Sequence, residues 1–297
     1  MGVVDGQSSQ NVSEPGAQAD ASADKKEESP AAVVPDSSTD DFKDDENQLQ
    51  DQQLDQIEQE QKQLPLVSDK IPFDVIVMEY DSTNGPEFRK KAEELAVVYS
   101  DVRQIRGDGN CFYRAVLVGV TELILKDHEE ARRFLTVCEG WVDRLLKLGF
   151  PDWTTTDFCD YFVSWVKSII NKELKPDQVI PGLNEDHHCN YLIIFLRLIS
   201  SGYLKEHTEE YEPFIDNGQS LSDYCCSEIE AMWKDVDHLG ITGLVSALER
   251  PIRVEYMDRS AAPNGGWHYD FPPEQAEAPK IVLLYRPGHY DLIYRKD

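Results

Sequence analysis

The chain has 297 residues, enough for one large domain with a tail or for two small domains. Its formal net charge is −27, which makes nucleic acid and anionic membranes unfavourable partners and a basic protein surface a better one. The sequence has no apolar run long enough to span a bilayer and no basic start followed by an apolar run, so neither a membrane span nor a signal peptide is expected.

The six cysteines do not show the Cys-x-x-Cys spacing that is typical of zinc or redox sites. In a chain without a secretion signal, free thiols are the expected state. The sequence therefore predicts a reducing compartment, the cytosol or the nucleus.

The first part of the chain differs in composition from the rest. Residues 1–47 are rich in Ser, Asp, Glu, Ala and Pro, and are expected to form a disordered acidic tail. Residues 48–65 form a Gln-rich arm in which Leu54 and Ile57 fall near helical spacing, up to Pro65. Two interpretations of the arm stay open: a fraying linker, or an amphipathic helix that becomes ordered on a partner.

A folded domain is expected over residues 66–297, and its first part is helical. Apolar periodicity predicts helices over residues 87–99, 111–126, 131–148, 154–172, 190–203, 211–215, 220–233 and 240–248. Gly149 is expected to end the third of these helices. Thr155 or Thr156 and Ser222 are the expected N-caps of two others.

The last part of the domain has the pattern of strands. Residues 252–257 alternate between apolar and polar side chains, and a loop rich in Pro and Gly follows. Residues 280–285 form a buried apolar run, residues 289–295 alternate again, and Arg-Pro-Gly between them predicts a tight hairpin turn. Helices dominate the first part and strands the last, so the fold class is α+β.

Cys111 is the first candidate for catalysis. The turn formed by Asp108, Gly109 and Asn110 leads directly into the apolar helix that begins at Cys111. Unpaired N–H groups at a helix N-terminus favour a thiolate and can also hold an oxyanion. The alternative is a structural cysteine at the start of a core helix.

A thiol nucleophile needs a base, and His289 at the start of the terminal strand is the best candidate. Asp291 stands two residues later, and side chains at i and i+2 of a strand point the same way. Its carboxylate can therefore orient the imidazole and stabilise the imidazolium. The alternative is that these residues simply form an exposed strand end.

The other histidines carry weaker signals. His187 and His188 suit a metal only if carboxylates converge on them. His268 follows Trp267 in an aromatic loop, where both could contact substrate. His238 is expected to cap a helix or to pack against it.

The motifs around Cys111 and around His289 resemble those of a known family. The run Asp-Gly-Asn-Cys-Phe-Tyr-Arg at 108–114 resembles the cysteine motif of the ovarian tumour domain proteases, and Leu-Tyr-Arg-Pro-Gly-His-Tyr-Asp at 284–291 resembles their histidine motif. Residues 65–68, 191–202, 255–259 and the terminal hairpin are similar to otubains in particular. The resemblance runs from about residue 52 to residue 296.

The resemblance implies a papain-like α+β protease with a helical lobe packed on a small antiparallel sheet. It implies hydrolysis of the isopeptide bond between the C-terminal glycine of ubiquitin and a lysine, with a preference for lysine-48-linked chains. Cys111, His289 and Asp291 take the catalytic positions, and Asp108, Gly109 and Asn110 form the oxyanion loop, in which Asp108 shapes the loop rather than reacts. Neither a metal nor an organic cofactor is used.

The resemblance also assigns partners. The arm over residues 51–64 corresponds to the segment that helps otubains to hold the proximal ubiquitin and, in some members, to block a ubiquitin-conjugating enzyme without cleavage. Leu54, Ile57, Trp267 and His268 are the candidate ubiquitin contacts, and a monomer is expected. Two other functions stay open: a mainly non-catalytic regulator that binds ubiquitin and a conjugating enzyme, and a papain-like acyltransferase.

Overall fold

A helical lobe and a six-stranded sheet make up the described part of the chain. The structure, a computed structural model, describes residues 59, 61–80, 85–216, 218–258, 267–273 and 277–296. The predicted tail and most of the predicted arm, including Leu54 and Ile57, lie outside the described residues. No helix of the described ranges is long and apolar enough to cross a membrane.

The helices follow one another with short connections. They are α1 (Asp74–Met78), α2 (Pro86–Val98), α3 (Cys111–Lys126), α4 (His128–Glu139), α5 (Trp141–Lys147), α6 (Asp152–Ile170), α7 (Pro176–Leu183), α8 (Asp186–Glu206), α9 (Thr208–Tyr211), α10 (Leu221–Tyr224) and α11 (His238–Leu248). A short 3₁₀ turn (Glu212–Phe214) follows α9, and one π-helical turn (Cys225–Ile229) continues α10.

The sheet contains β1 (Ile71–Pro72), β2 (Tyr99–Arg103), β3 (Ile252–Tyr256), β4 (His268–Phe271), β5 (Ile281–Arg286) and β6 (His289–Arg295), in the order β1-β2-β6-β5-β3-β4. The expected α+β class and terminal hairpin are confirmed. The expectation of an antiparallel sheet is wrong, because β3 and β5 pair in parallel. The reason is β4, where a loop was expected: it reverses the chain along the outer edge of β3, so β5 returns in the direction of β3.

Several helix boundaries differ from those expected. The predicted helix 131–148 breaks at Gly140, where the poor helix propensity of glycine allows a change of direction. That change buries Trp141, whose indole N–H donates to the Ala247 carbonyl at 3.0 Å. Helix α6 begins after Pro151, so Thr155 lies buried inside it, and Ser220 rather than Ser222 caps α10.

Helix α3, predicted with its observed bounds, lies against the sheet and the helical lobe. Almost every side chain from Cys111 to Thr121 is buried, which fits its near-continuous apolar sequence. At Gly119 an added Cβ would lie 2.9 Å from Ile281 on β5, so glycine lets the helix approach the sheet closely. This packing fixes the start of α3 relative to the hairpin formed by β5 and β6.

Candidate active site

Cys111 is the first residue of α3 and is only 4% exposed. Gly109, two residues earlier, has a φ of +73°, a conformation that L side chains rarely adopt. Asn110 then occupies the N-cap position. The turn therefore brings the thiol to a helix N-terminus, where backbone N–H groups without helical partners surround it.

Asp108 holds this turn in shape through both of its carboxylate oxygens. Its Oδ1 accepts from the Asn110 N–H at 3.0 Å. The guanidinium of Arg114, one turn further along α3, donates to both oxygens at 2.9 and 2.8 Å. Burial alone would lower the pKa of Arg114, but the hydrogen bond that it donates to Asp108 raises the pKa, so the ion pair stays charged. Both oxygens of Asp108 are thus engaged in contacts that hold the turn.

Arg197 on α8 supports the same turn from the protein interior. Its fully buried guanidinium donates to Asn110 Oδ1 at 2.7 Å and to the Gly109 carbonyl at 2.8 Å. It also donates to the carbonyls of Ile229 and Lys234 at 3.0 and 2.8 Å. One arginine therefore joins the oxyanion loop to the segment that follows the π-helical turn. No local sequence pattern predicts this contact, because Arg197 lies 87 residues from Asn110.

The hairpin places His289 and Asp291 side by side at the sheet edge of the site. The Nε2 atom of His289 lies 2.9 Å from Asp291 Oδ1. The Cys111 thiol lies close enough to the imidazole to help raise the pKa of His289. Because Nε2 faces Asp291, Nδ1 is the nitrogen left for the thiol. The structure thus brings together the three residues that the sequence nominates as nucleophile, base and orienting acid.

Asp291 is completely buried and has three donors around it. Its Oδ1 also accepts from the Ile105 N–H at 2.9 Å, and its Oδ2 accepts from Arg286 at 2.5 Å. Burial alone would raise the pKa of Asp291, but the interactions with His289, Arg286 and the Ile105 N–H lower it. Arg286 in turn is paired with Glu79. The role of Arg286 was not predicted from the sequence, although this residue stands three positions before His289, at the end of β5.

His289 is held as an imidazolium by its neighbours. Burial alone would lower its pKa, but the hydrogen bonds and charges of Asp291 and Cys111 raise it from the usual 6.5 to about 10. At neutral pH the arrangement favours a positively charged ring between a carboxylate and the thiol sulfur. An imidazolium in this position can stabilise the thiolate, which is the nucleophilic form of a cysteine.

The charged His289 should stabilise the fold at neutral pH and lose that contribution in alkali. A group whose pKa is raised on folding stabilises fully below its unfolded pKa, about 6.5, and this effect disappears as the pH rises through about 10. We expect the free energy of unfolding of the wild type to exceed that of His289→Gln near pH 6.5. The difference should shrink above about pH 10. Urea denaturation across this range measures it, and a pH-independent difference would contradict the assignment.

The candidate ubiquitin contacts on the sheet lie apart from this group. The Trp267 indole donates to Glu94 of α2 at 2.7 Å and lies under the Lys91 ammonium. His268 Nδ1 lies 3.7 Å from Glu255 on β3. Neither of these partners belongs to the catalytic group, so the two aromatic residues mark a separate surface near α2.

The remaining histidines have structural partners. His188 Nδ1 forms a 2.7 Å hydrogen bond with the Tyr161 hydroxyl, and His187 packs against Tyr191. Within the described ranges no group of three or more His, Cys, Asp or Glu side chains is placed to hold a metal ion. His238 packs against Phe271, while its neighbour Asp237 provides the cap of α11. Of the two interpretations of His238, packing is therefore confirmed.

A groove of about 1020 Å³ lies elsewhere, at the far end of α3. It is lined by Glu122, Lys126, Lys280 and Arg295 among others, and by none of the three candidate catalytic residues. Its lining carries both signs of charge and no cysteine or histidine. The candidate catalytic group therefore lies outside this groove.

A thiol at the start of a buried helix, with an imidazolium and a carboxylate on a neighbouring hairpin, defines a cysteine peptidase of the papain-like class. The family described as Peptidase C65 Otubain matches residues 59–295. The chain therefore belongs to the otubain family of deubiquitinating cysteine peptidases.

Individual relatives agree with this assignment. The Caenorhabditis elegans protein named ubiquitin thioesterase otubain-like is 52% identical over 255 residues, which cover 86% of this chain and 90% of the relative. Human ubiquitin thioesterase OTUB1 is 36% identical over 244 residues, covering 82% and 88%. A solved complex of ceOTUB1 with ubiquitin aldehyde and UBC13~Ub has a TM-score of 0.79 at 52% identity, covering 83% of this chain and 100% of that one.

Proposed function

We propose that this enzyme hydrolyses the isopeptide bond between the C-terminal glycine of ubiquitin and a lysine side chain, with a preference for lysine-48-linked chains. The observation that carries the reaction is the contact of His289 with both Asp291 and Cys111 beside the N-terminus of α3. Cys111 is the nucleophile, His289 the base and acid, and Asp291 the orienting group.

Acylation begins with attack of the Cys111 sulfur on the glycine carbonyl. The carbonyl oxygen becomes an oxyanion, which the N–H of Cys111 and neighbouring N–H groups of the oxyanion loop can stabilise. Asp108 and Arg197 hold that loop in place before substrate arrives, so little reorganisation is needed during the reaction. His289 then gives its Nδ1 proton to the leaving lysine amine, and a thioester remains on Cys111.

Deacylation uses the same groups in reverse. The now neutral His289 takes a proton from a water molecule, which attacks the thioester carbonyl. The oxyanion forms again beside the loop, and its collapse releases the carboxyl group of ubiquitin and the Cys111 thiolate. His289 is left protonated, and the hydrogen bonds from Ile105 and Arg286 keep Asp291 ionised beside it through both steps.

Complexes of similar proteins support the choice of partners. Besides the ceOTUB1 complex, an h/ceOTUB1 structure with ubiquitin aldehyde and UBCH5B~Ub has a TM-score of 0.77 at 49% identity, covering 84% of this chain and 99% of that one. We infer that this chain likewise binds ubiquitin and ubiquitin-charged conjugating enzymes. A mainly non-catalytic regulator is the second candidate function, and the presence of conjugating enzymes in those complexes favours it.

The end of the arm is attached beside the catalytic loop, which supports a role for the arm in substrate binding. Residues 61–63 are helical. Gln61 Oε1 accepts from the Gly107 N–H at 3.3 Å, and the Arg106 guanidinium donates to the Leu64 carbonyl. A ubiquitin held by the arm would therefore lie close to His289, where the leaving lysine must be. Leu54 and Ile57 on the arm, and Trp267 and His268 on β4 and before it, stay the proposed ubiquitin contacts.

Linkage preference is tested by comparing diubiquitins. We expect kcat/KM for the lysine-48-linked dimer to exceed that for the lysine-63-linked dimer by about tenfold or more, because the second ubiquitin must dock on a fixed surface. Initial rates with quantified gel bands measure this ratio. Equal rates would remove the lysine-48 preference but leave the hydrolase assignment intact, whereas cleavage of neither dimer would contradict both.

Removal of the arm should weaken the binding of ubiquitin chains more than it slows the catalytic steps. Deleting residues 1–64 is expected to lower kcat/KM for the lysine-48-linked dimer roughly tenfold, mainly through KM, because contacts to the proximal ubiquitin are lost. Deleting residues 1–47, which removes only the acidic tail, is the matched control and should change little. If both truncations behave like the full chain, the arm has no such role.

The cellular setting stays a proposal as well. All six cysteines are free thiols, which supports a reducing compartment such as the cytosol or the nucleus. We also propose a monomer, and sedimentation of the full chain at micromolar concentration is the direct measurement.

A further inference from the structure

Trp233 is an unusual residue on the flank of the oxyanion loop. Its side chain is 56% exposed, whereas most aromatic side chains in the described ranges are buried or half-buried. Its φ is +65°, in the left-handed region that favours glycine or asparagine. In the described part of the chain its indole makes no ring contact and no hydrogen bond. Burial in the core therefore does not explain why a tryptophan stands here.

The backbone of Trp233 is fixed directly against the oxyanion loop. Its N–H donates to Asn110 Oδ1 at 3.4 Å. At Gly109 an added Cβ would lie 2.3 Å from the Trp233 carbonyl oxygen, so the two backbones are in close contact. Arg197 holds both segments, through the carbonyls of Gly109 and Lys234. The exposed indole is thus carried on a backbone that contacts Gly109, two residues before the nucleophile in the sequence.

The left-handed conformation has a cost that glycine would avoid. A non-glycine residue in this region is strained, because its Cβ crowds the neighbouring backbone. Such strain persists where the surrounding structure fixes it, and it is commonest at ligand contacts. The exposed indole buries little apolar surface that could offset this strain. Contact with another molecule would explain why a tryptophan stands here.

The position of Trp233 relative to His289 indicates which part of the substrate the indole can contact. An added Cβ at Gly107 would lie 3.3 Å from His289 Nδ1, so the base lies beside the start of the loop. The leaving lysine must be there to receive its proton. Trp233 instead contacts the middle of the loop, at Gly109. The acyl part of the substrate extends away from the leaving group. The flank of the loop beside Trp233 is the side on which it can lie.

We propose that the Trp233 indole forms a wall of the cleft that holds the C-terminal tail of ubiquitin. A flat aromatic face packs well on the exposed peptide groups of glycine, which has no side chain to keep it away. Trp233 is then a specificity residue for the acyl side of the scissile bond. This inference rests on the proposed function, since it concerns the same reaction.

The test removes the indole without disturbing the backbone. Trp233→Gly suits a positive φ, and Trp153→Ala, at another tryptophan that is 83% exposed, is the matched control. Three rates are measured for each: cleavage of lysine-48-linked diubiquitin, labelling by ubiquitin with a C-terminal electrophile, and alkylation of Cys111 by iodoacetamide, mapped by mass spectrometry. The probe has a tail but no acceptor lysine, and iodoacetamide has neither.

For Trp233→Gly we expect roughly tenfold losses in diubiquitin cleavage, through KM, and in probe labelling, as for a truncated aromatic contact. Alkylation of Cys111 and the melting temperature should match the wild type, and Trp153→Ala should match it throughout. Normal probe labelling with slower diubiquitin cleavage would place Trp233 on the acceptor side and overturn the proposal. If alkylation of Cys111 falls as much as probe labelling does, the proposal is overturned too, because the substitution then acts on the reactivity of the thiol. A wild type that is alkylated but ignores probe and diubiquitin would instead refute the proposed function itself.

Discussion

Replacing Cys111 by alanine should abolish cleavage of lysine-48-linked diubiquitin, with a fall in kcat/KM of about 10⁴-fold or more. Among the described thiols, Cys111 is the one that helps to raise the pKa of His289, and an alanine methyl group cannot form the thioester. The substitution removes one sulfur atom from a site that Asp108, Arg114 and Arg197 hold by contacts with other residues. The fold should therefore survive, and a near-native melting temperature checks this.

The same variant separates the two candidate functions. Binding of ubiquitin and inhibition of a charged conjugating enzyme should persist in Cys111→Ala, because those surfaces do not need the thiol. Cys226→Ala is the matched control, since Cys226 is the exposed cysteine of the described chain and lies in the π-helical turn. It should retain wild-type cleavage. Residual cleavage by Cys111→Ala would show that the nucleophile is another residue.

The parts of the site that the sequence predicts are those with local signals. The bounds of α3 follow from an apolar run between a glycine-containing turn and Asp127, which ends that helix and caps the next. The hairpin follows from Arg-Pro-Gly between two strand patterns. The i and i+2 spacing of His289 and Asp291 then places both side chains on one face, and the structure shows them in contact.

The parts that the sequence does not predict depend on long-range partners. The Ile105 N–H reaches Asp291 across 186 residues, and Arg197 reaches Asn110 across 87. A buried arginine has no periodic pattern that would reveal which carbonyl or carboxylate it will meet. The parallel pairing of β3 with β5 was missed for a similar reason. It depends on β4, whose four residues, His-Tyr-Asp-Phe, are too few for their alternation to predict a strand without its partners.

Buried arginines organise the catalytic group in a protein that is strongly acidic. Arg114 and Arg286 each neutralise a carboxylate of the site, and Arg197 donates to backbone carbonyls around the turn. Burying unpaired charges is costly, so such groups persist only with complete partners. Removing one partner leaves the other charge buried, and substitutions here should therefore affect both stability and rate. A variant must be judged by a measurement that separates the two effects.

Asp291→Asn provides that measurement, because it keeps the size of the side chain and removes its charge. An amide cannot offer His289, Ile105 and Arg286 the acceptors that two carboxylate oxygens provide, and a changed His289 tautomer would present the wrong nitrogen to the thiol. We expect kcat to fall about 10³- to 10⁴-fold.

The pH profile of Asp291→Asn then distinguishes loss of catalysis from loss of folding. Asp291 is a main reason that the pKa of His289 is raised to about 10, so the alkaline limb of kcat/KM should move to lower pH in the variant, whereas partial unfolding would scale the whole profile without moving it. Glu79→Gln, at the other end of Arg286, is the matched control and should leave the limb in place. An unshifted limb in Asp291→Asn would mean that His289 takes its charge from Cys111 alone.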